Sequence, residues 1–362
     1  MKPPSRHSRK PIKALSLFSG AGIGEFYLKK CGIDVVVANE IIAKRAETHR
    51  FLYPDCEVVN ADITKETTQK VLVEKAVRND VSLVIATPPC QGLSTAGANR
   101  TDDSLLEDPR NFLILSALKI VDKVKPDYFI IENVPRFQQM LFPWRKKLVK
   151  LIDLLNSKYS SEYDVAMDVF NAADYGVPQT RFRVVYRMWK KGLQWSLPKK
   201  QKQITLREAI GDLPSLEAGE ASDIKNHVAL RAPANHIECL RHTPEGKSAF
   251  KNEVYYPKKA DGTRVKGFPN TFKRVRWDSP APTITMRNEI ASSQENVHPG
   301  RNLGNGIWSD ARVFTLRELL IVSSLPADLD KPPFLTETAF RQIIGEGIPS
   351  RLMQQIMKGV GR

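Results

Sequence analysis

Cysteine is scarce in this chain, and its scarcity excludes several classes of protein. The 4 cysteines, Cys31, Cys56, Cys90 and Cys239, stand far apart with no C-x-x-C pair, so their spacing offers neither a zinc knuckle nor a disulfide framework. A reducing compartment and no bound metal are the expectations. Long apolar runs are missing too: there is no early apolar h-region and no stretch of about 18 apolar residues, which argues against a secretory leader and a membrane span. Acidic residues are in deficit, 40 Asp+Glu against 55 Lys+Arg, for a net charge of +15. That surplus fits a polyanionic partner, because pairing with phosphates releases counterions, but it does not separate DNA from RNA. No internal repeat is visible.

What is present reads as a folded protein. The 362 residues, 41% hydrophobic and 26% charged, suffice for one large domain and a smaller second one. From Lys13 onward, short β-branched runs alternate with amphipathic stretches. Residues 14–18, 34–38, 81–86 and 127–131 read as buried strands, and 41–52, 66–78, 110–123 and 145–157 as the helices between them. Further β-rich runs lie near 163–170 and 181–188. This alternation predicts an α/β fold with a doubly wound, mostly parallel sheet. Residues 1–12 form a basic, proline-rich arm. Residues 13–189 together with the helical-period block 335–362 are assigned to the first domain, and 190–334 to an irregular second one. Between 190 and 312 there are 21 Lys+Arg against 13 Asp+Glu, which suggests loops that carry partner contacts.

The segment L-S-L-F-S-G-A-G-I-G-E-F, 15–26, puts a glycine cluster between a strand and a helix, where backbone approaches a ligand closely. A G-x-G-x-x-G dinucleotide fingerprint is not satisfied, since Glu25 stands three after Gly22. Glu40 ends the second strand, where it can accept ribose hydroxyls. After a third run come Asp62, suited to an adenine amino group, and Ile63, suited to its face. A glycine loop with two acids and no phosphate cradle suggests a nucleoside lacking phosphates, such as S-adenosylmethionine. The competing role for Glu40 and Asp62 is helix capping.

In T-P-P-C-Q-G-L-S, 87–94, Pro88 and Pro89 end a buried strand and present Cys90 at its carboxyl end, where ligands sit in open α/β sheets. An isolated cysteine is more often a small buried hydrophobe. Its companions change that reading. Glu132 and Asn133 in I-I-E-N-V-P end another strand, and Arg181 and Arg183 in Q-T-R-F-R share one face of an extended segment.

F-S-G-A-G, T-P-P-C-Q-G-L-S, E-N-V, Q-T-R-F-R and R-V-F-T-L-R-E-L (312–319) occur in the order found in the cytosine carbon-5 DNA methyltransferases, which the chain resembles over most of its length outside 190–270. The resemblance implies an S-adenosylmethionine-dependent methyltransferase fold, with 190–334 as the target-recognition domain. It implies Cys90 as nucleophile, Glu132 as the acid at the cytosine ring, and Arg181 and Arg183 beside the base and the loop, all four as catalytic residues. The donor would be lined by Phe18, Gly20, Gly22, Ile23, Glu40, Ile41, Asp62, Ile63, Pro88 and Leu113. The substrate would meet Pro89, Gln91, Ser94, Asn133, Val134 and Gln179.

The chemistry agrees with these residue types. A thiolate adding to carbon 6 turns the ring into an enamine and later leaves readily. A carboxyl group of raised pKa in a dry pocket can serve nitrogen 3, and Arg181 is the candidate for favouring the thiolate. Attack from above the ring requires a flipped base, with 92–108 as the clamp, including Gly97, Asn99 and Arg100. In R-V-R-W-D-S-P-A-P-T-I-T-M-R, 274–287, Arg274, Arg276, Thr283 and Arg287 are residue types able to read base edges or hold phosphates.

Two positions depart from the family pattern. Ile23 replaces a second consecutive glycine, and Glu346 stands where the last motif carries asparagine, so its charge should repel the donor's carboxylate unless it points away. The expected partner is duplex DNA, with no membrane, for a monomer in a bacterial or archaeal cytoplasm, at the nucleoid, paired with a restriction endonuclease. The alternatives are a tRNA cytosine-5 methyltransferase and a DNA-binding relative that has lost catalysis.

Overall fold

In a computed structural model, residues 11–89, 109–259 and 261–361 are described. Two compact units emerge: Met1–Phe170, Phe182–Pro198 and Gln354–Arg362 form one, and Asn171–Arg181 with Lys199–Met353 the other.

The first unit is built on a seven-stranded sheet. Its elements in chain order are β1 (Ile12–Leu17), β2 (Ile33–Asn39), α1 (Ala43–Leu52), β3 (Glu57–Val59), α2 (Glu66–Arg78), β4 (Leu83–Ala86), α3 (Ile114–Val124) and β5 (Tyr128–Asn133). They are followed by β6 (Leu141–Trp144), β7 (Lys147–Lys150), α4 (Leu151–Tyr159), β8 (Tyr163–Asn171) and β9 (Phe182–Lys190). The strand order is β3-β2-β1-β4-β5-β9-β8. Pairs among the first five strands are parallel, and β9 runs antiparallel to β5. Every residue of β4 and β5 is buried. A strand covered on both faces shows an unbroken apolar run, which is why these two are legible as strands in the sequence. The edge strand β3 is only three half-buried residues long and shows no period.

The helix expected at 145–157 is corrected. Residues 141–150 form an antiparallel hairpin, β6–β7, and the helix α4 starts only at Leu151. The two-residue turn, Arg145-Lys146, has φ of 46° and 63°. Left-handed backbone costs L residues about 1–2 kcal/mol each, so local preference alone would not choose this turn. Long-range packing does. Phe142 is fully buried, with its ring 5.6 Å from Phe137 and 5.9 Å from Phe112, and the Trp144 indole N–H donates to Ser157 at 3.0 Å.

The second unit has few regular elements, among them α5 (Leu206–Ile210), α6 (Ala234–Arg241), α7 (Leu316–Val322) and α8 (Glu337–Glu346). Thr205 with Glu208 and Thr315 with Glu318 form capping boxes that start α5 and α7. Charge helps to hold this unit: buried Arg312 pairs with Glu318 at 2.8 Å and with Asp310 at 2.9 Å. Burial pushes the neighbouring His298 down to about 3, so it stays neutral there. Among the described residues no helix is long and apolar enough to cross a membrane.

Candidate active site

The order of the strands makes a crevice. The chain passes from β1 to β2 on one side and later returns to β4 on the other, so the carboxyl ends of β1 and β4 frame a switch point. Leu17 and Ile131 are both in register with Ala86, which brings Phe18, Thr87 and Glu132 to one edge. Side chains tie this edge together. The Thr87 hydroxyl donates to the Phe18 carbonyl at 3.0 Å, and Asn133 Nδ2 donates to the Pro88 carbonyl at 3.1 Å. Pro88 is buried and Pro89 half-buried. Cys90, Gln91, Ser94 and the clamp segment 92–108 lie outside the described residues.

Beside β1 the glycine loop is strained where a ligand would approach. Phe18 has φ of 59° and Gly20 φ of 56°, and a Cβ built on Gly20 would meet nothing within 4 Å. The Gly20 amide donates to Glu40 Oε2 at 3.0 Å, while the Ile42 amide donates to Oε1 at 2.7 Å. Glu40 thus braces the loop and the approach to α1 together. Asp62 accepts from the Thr64 amide and hydroxyl, at 2.9 and 2.8 Å, and these bonds hold its carboxyl below its ordinary value. Neither acid is a helix N-cap, since those positions are Ile42 and Lys65 and neither helix start has a side-chain cap; both carboxylates instead bind loop amides at the ends of two strands next to the glycine loop. Ile63 and Ile23 are buried in the protein. Ile41 is exposed, and Leu113 is half-buried at the start of α3.

Sequence reasoning missed the support beneath this loop. A Cβ on Gly22, whose φ is 74°, would stand 2.4 Å from the Tyr53 ring, and the Tyr53 hydroxyl donates to the Gly22 carbonyl at 2.6 Å. Burial, reinforced by Glu25, raises the Tyr53 phenol, which keeps it a donor. Glu25 in turn accepts from Ser16 at 2.5 Å and lies 3.1 Å from His49 Nε2. No local signal marks Tyr53, because its partner is 31 residues away.

At the end of β5 Glu132 and Arg183 meet, Nε to Oε1 at 2.7 Å, both largely buried. Arg183 stands just before Val184, which is in register with Asn133, and so reaches diagonally back to Glu132. Val134 is half-buried, and its amide donates to Asn133 Oδ1 at 2.8 Å. Arg181 belongs to the second unit, where its guanidinium donates to the carbonyls of Ile284 (2.6 Å), Gly345 (2.9 Å) and Glu346 (3.2 Å). Gly345 has to be a glycine, because a Cβ there would lie 2.2 Å from the Thr285 carbonyl.

Two expectations for substrate contact are corrected. Gln179 is buried, its Nε2 donating to Val322 O at 3.1 Å and its Oε1 accepting from the Ile284 amide at 3.2 Å, so both ends of the amide are committed to main chain. Arg274 is fully buried and donates to the carbonyls of Leu240, His298 and Asp310, at 3.0, 2.9 and 3.1 Å. Burial pushes its guanidinium down to about 10. An arginine so enclosed cannot read a base. Arg276, Thr283 and Arg287 remain exposed, although the Thr283 hydroxyl donates to Thr180 O at 2.8 Å. Accordingly, Arg274→Ala lowers stability by about 2–3 kcal/mol in urea unfolding, because three carbonyls lose their charged donor, whereas Arg276→Ala changes it by less than about 0.5 kcal/mol. Equal effects of the two substitutions would contradict this assignment.

Comparison with known proteins places the chain in a family. A family model described as C-5 cytosine-specific DNA methylase matches residues 12–362. The Type II methyltransferase M1.HgaI of Avibacterium volantium is 45% identical over 352 residues, covering 97% of this chain and 99% of that protein. M1.HphI of Haemophilus parahaemolyticus, also a Type II methyltransferase, is 29% identical over 350 residues, 96% of this chain and 86% of its own. Among solved structures, a variant of Spodoptera frugiperda DNMT2 superposes with a TM-score of 0.62 at 17% identity, covering 96% of this chain and 99% of that one, a likeness of fold.

Proposed function

The chain belongs to the C-5 cytosine-specific DNA methylase family, and on that premise we propose that it transfers a methyl group from S-adenosylmethionine to carbon 5 of a flipped cytosine in duplex DNA. The observation that carries the reading is the 2.7 Å Glu132–Arg183 pair, on the same strand edge at which Asn133 is tied to Pro88, two residues before Cys90.

In this reading the Cys90 thiolate bonds to carbon 6 of the ring. The electrons displaced make carbon 5 nucleophilic, and after methylation loss of the carbon 5 proton expels the thiolate and restores the ring. Glu132 shares a proton with nitrogen 3 as the ring gains basicity, and Arg183 holds the carboxyl in one orientation. S-adenosylmethionine, when bound, supplies an activated methyl group. The residues suit such a donor: the open side of Gly20 admits it closely, Glu40 and Asp62 offer acceptors, and the loop lacks the G-x-G-x-x-G spacing of a dinucleotide site. Extruding the base costs a few kcal/mol of stacking and pairing, and 92–108 is the segment assigned to hold it out. Within the same reading the enzyme is a monomer in a bacterial or archaeal cytoplasm, at the nucleoid. It protects DNA from a partner restriction endonuclease, in keeping with relatives named Type II methyltransferases.

Incubation with labelled S-adenosylmethionine, a mixture of duplex DNAs and tRNA tests this. Label is expected in duplex DNA, as 5-methylcytosine on nucleoside analysis, and not in tRNA. Label in tRNA alone supports the RNA alternative, and label in neither polymer defeats the reading.

A further inference from the structure

The hairpin β6–β7 carries charge for which methyl transfer has no use. Between Asn133 and Ile152 the chain holds Arg136, Arg145, Lys146, Lys147 and Lys150 and no acid. Arg145, Lys146, Lys147 and Lys150 are exposed, and no carboxylate among the described residues forms an ion pair with any of them. The hairpin that carries them is anchored at several points. Phe142 anchors one strand in the core, the Trp144 indole is bonded to Ser157 of α4, and the Arg145 guanidinium lies 5.4 Å from the Trp144 ring. The turn is also an unfavourable one. Two-residue hairpin turns with both φ positive are normally made by Asn-Gly, whereas here Arg and Lys occupy both left-handed positions. Two cations are kept where uncharged residues would fold more easily, at the tip of an acid-free arm that follows directly on the Glu132–Asn133 edge.

We propose that this hairpin is a second, sequence-independent grip on DNA, in which Arg145, Lys146 and Lys147 meet backbone phosphates of the duplex beside the target cytosine. The proposal rests on the reading that duplex DNA is the substrate. It belongs to the unit that carries Glu132 and Arg183, so the grip acts on the body that performs the chemistry. Phosphate contacts of this kind position the duplex without reading it, which leaves sequence choice to other surfaces.

Two variants test the idea, R145N/K146G and R145A/K146A/K147A. The first replaces the strained turn by its favoured dipeptide while removing two charges, so thermal stability and DNA affinity should move in opposite directions. Binding to a random-sequence duplex is followed by fluorescence anisotropy between 50 and 200 mM salt, alongside melting temperature. R145N/K146G should melt above the parent yet bind about tenfold more weakly at the low-salt end. Its slope of log affinity against log salt should be shallower by about 2, and that of the triple variant by about 3, since each neutralised phosphate contributes about 0.9. The kcat/KM for DNA should fall in proportion to affinity. Parental affinity and slope in both variants would overturn the grip, as would a slope change seen with tRNA but not with duplex. If the slopes change as expected while the parent methylates no polymer, the grip stands and the methyltransferase reading fails.

Discussion

Cys90→Ser lowers methyl transfer to duplex DNA by at least about 10⁴-fold, because two demands fall on one atom. The group that adds to carbon 6 must be a good nucleophile near neutral pH, and it must leave again by elimination. A thiol with a free pKa of about 8.5 already supplies some thiolate, whereas a serine hydroxyl stays protonated and, once added, departs poorly. The substitution removes no charge from the basic surfaces that hold phosphates, so duplex affinity should remain within about twofold of the parent. Single-turnover transfer of labelled methyl, paired with duplex binding, is the measurement. Retention of more than a few per cent of the parental rate would rule out Cys90 as the nucleophile. A parallel collapse of binding would point to a misfolded variant, and melting temperature separates that case.

The second large effect is at Glu132. Glu132→Gln should lower kcat by about 10²–10³-fold, within the range that proton transfer by a positioned group contributes. Glutamine keeps an acceptor opposite Arg183 Nε, now 2.7 Å from Glu132, so the strand edge should survive with a stability loss of about 1–2 kcal/mol. The two consequences are separable: the rate loss persists at temperatures where the variant is fully folded, and duplex binding changes little. A kcat within threefold of the parent would remove Glu132 from the proton path. Arg183 acts through Glu132 in this account, so Arg183→Lys combined with Glu132→Gln should cost little beyond Glu132→Gln alone, which a double-mutant cycle reads directly.

The ends of β4 and β5 could be found in the sequence because strands buried on both faces show as apolar runs, against which Thr87-Pro88 and Glu132-Asn133 stand out, while the end of β1 is marked by the glycine cluster that follows it. Their common location followed from the alternating pattern, since parallel strands place all their carboxyl ends on one edge. The hairpin at 141–150 was misread because its run of lysines has helical spacing and its turn lacks glycine. The decision lies with Phe142 and Trp144, through contacts that local propensity does not contain.

By itself, then, the sequence determined the α/β sheet and the placing of the glycine loop and Glu132 at strand ends on one edge, because periodicity and strand termini are local properties; of the arginine pair expected there, the antiparallel β9 brings Arg183 to Glu132, while Arg181 is committed to the carbonyls of Ile284, Gly345 and Glu346. Only the tertiary structure decided which arginines are free to meet a partner. Arg274 and Arg276 are alike in composition and two residues apart, yet one is sealed among the carbonyls of Leu240, His298 and Asp310 and the other faces solvent. Tertiary structure alone likewise gave Gly22 its support, by bringing the Tyr53 hydroxyl to its carbonyl. Burial and hydrogen-bond partnership depend on residues distant in the chain, and no window of sequence encloses both members of such a pair.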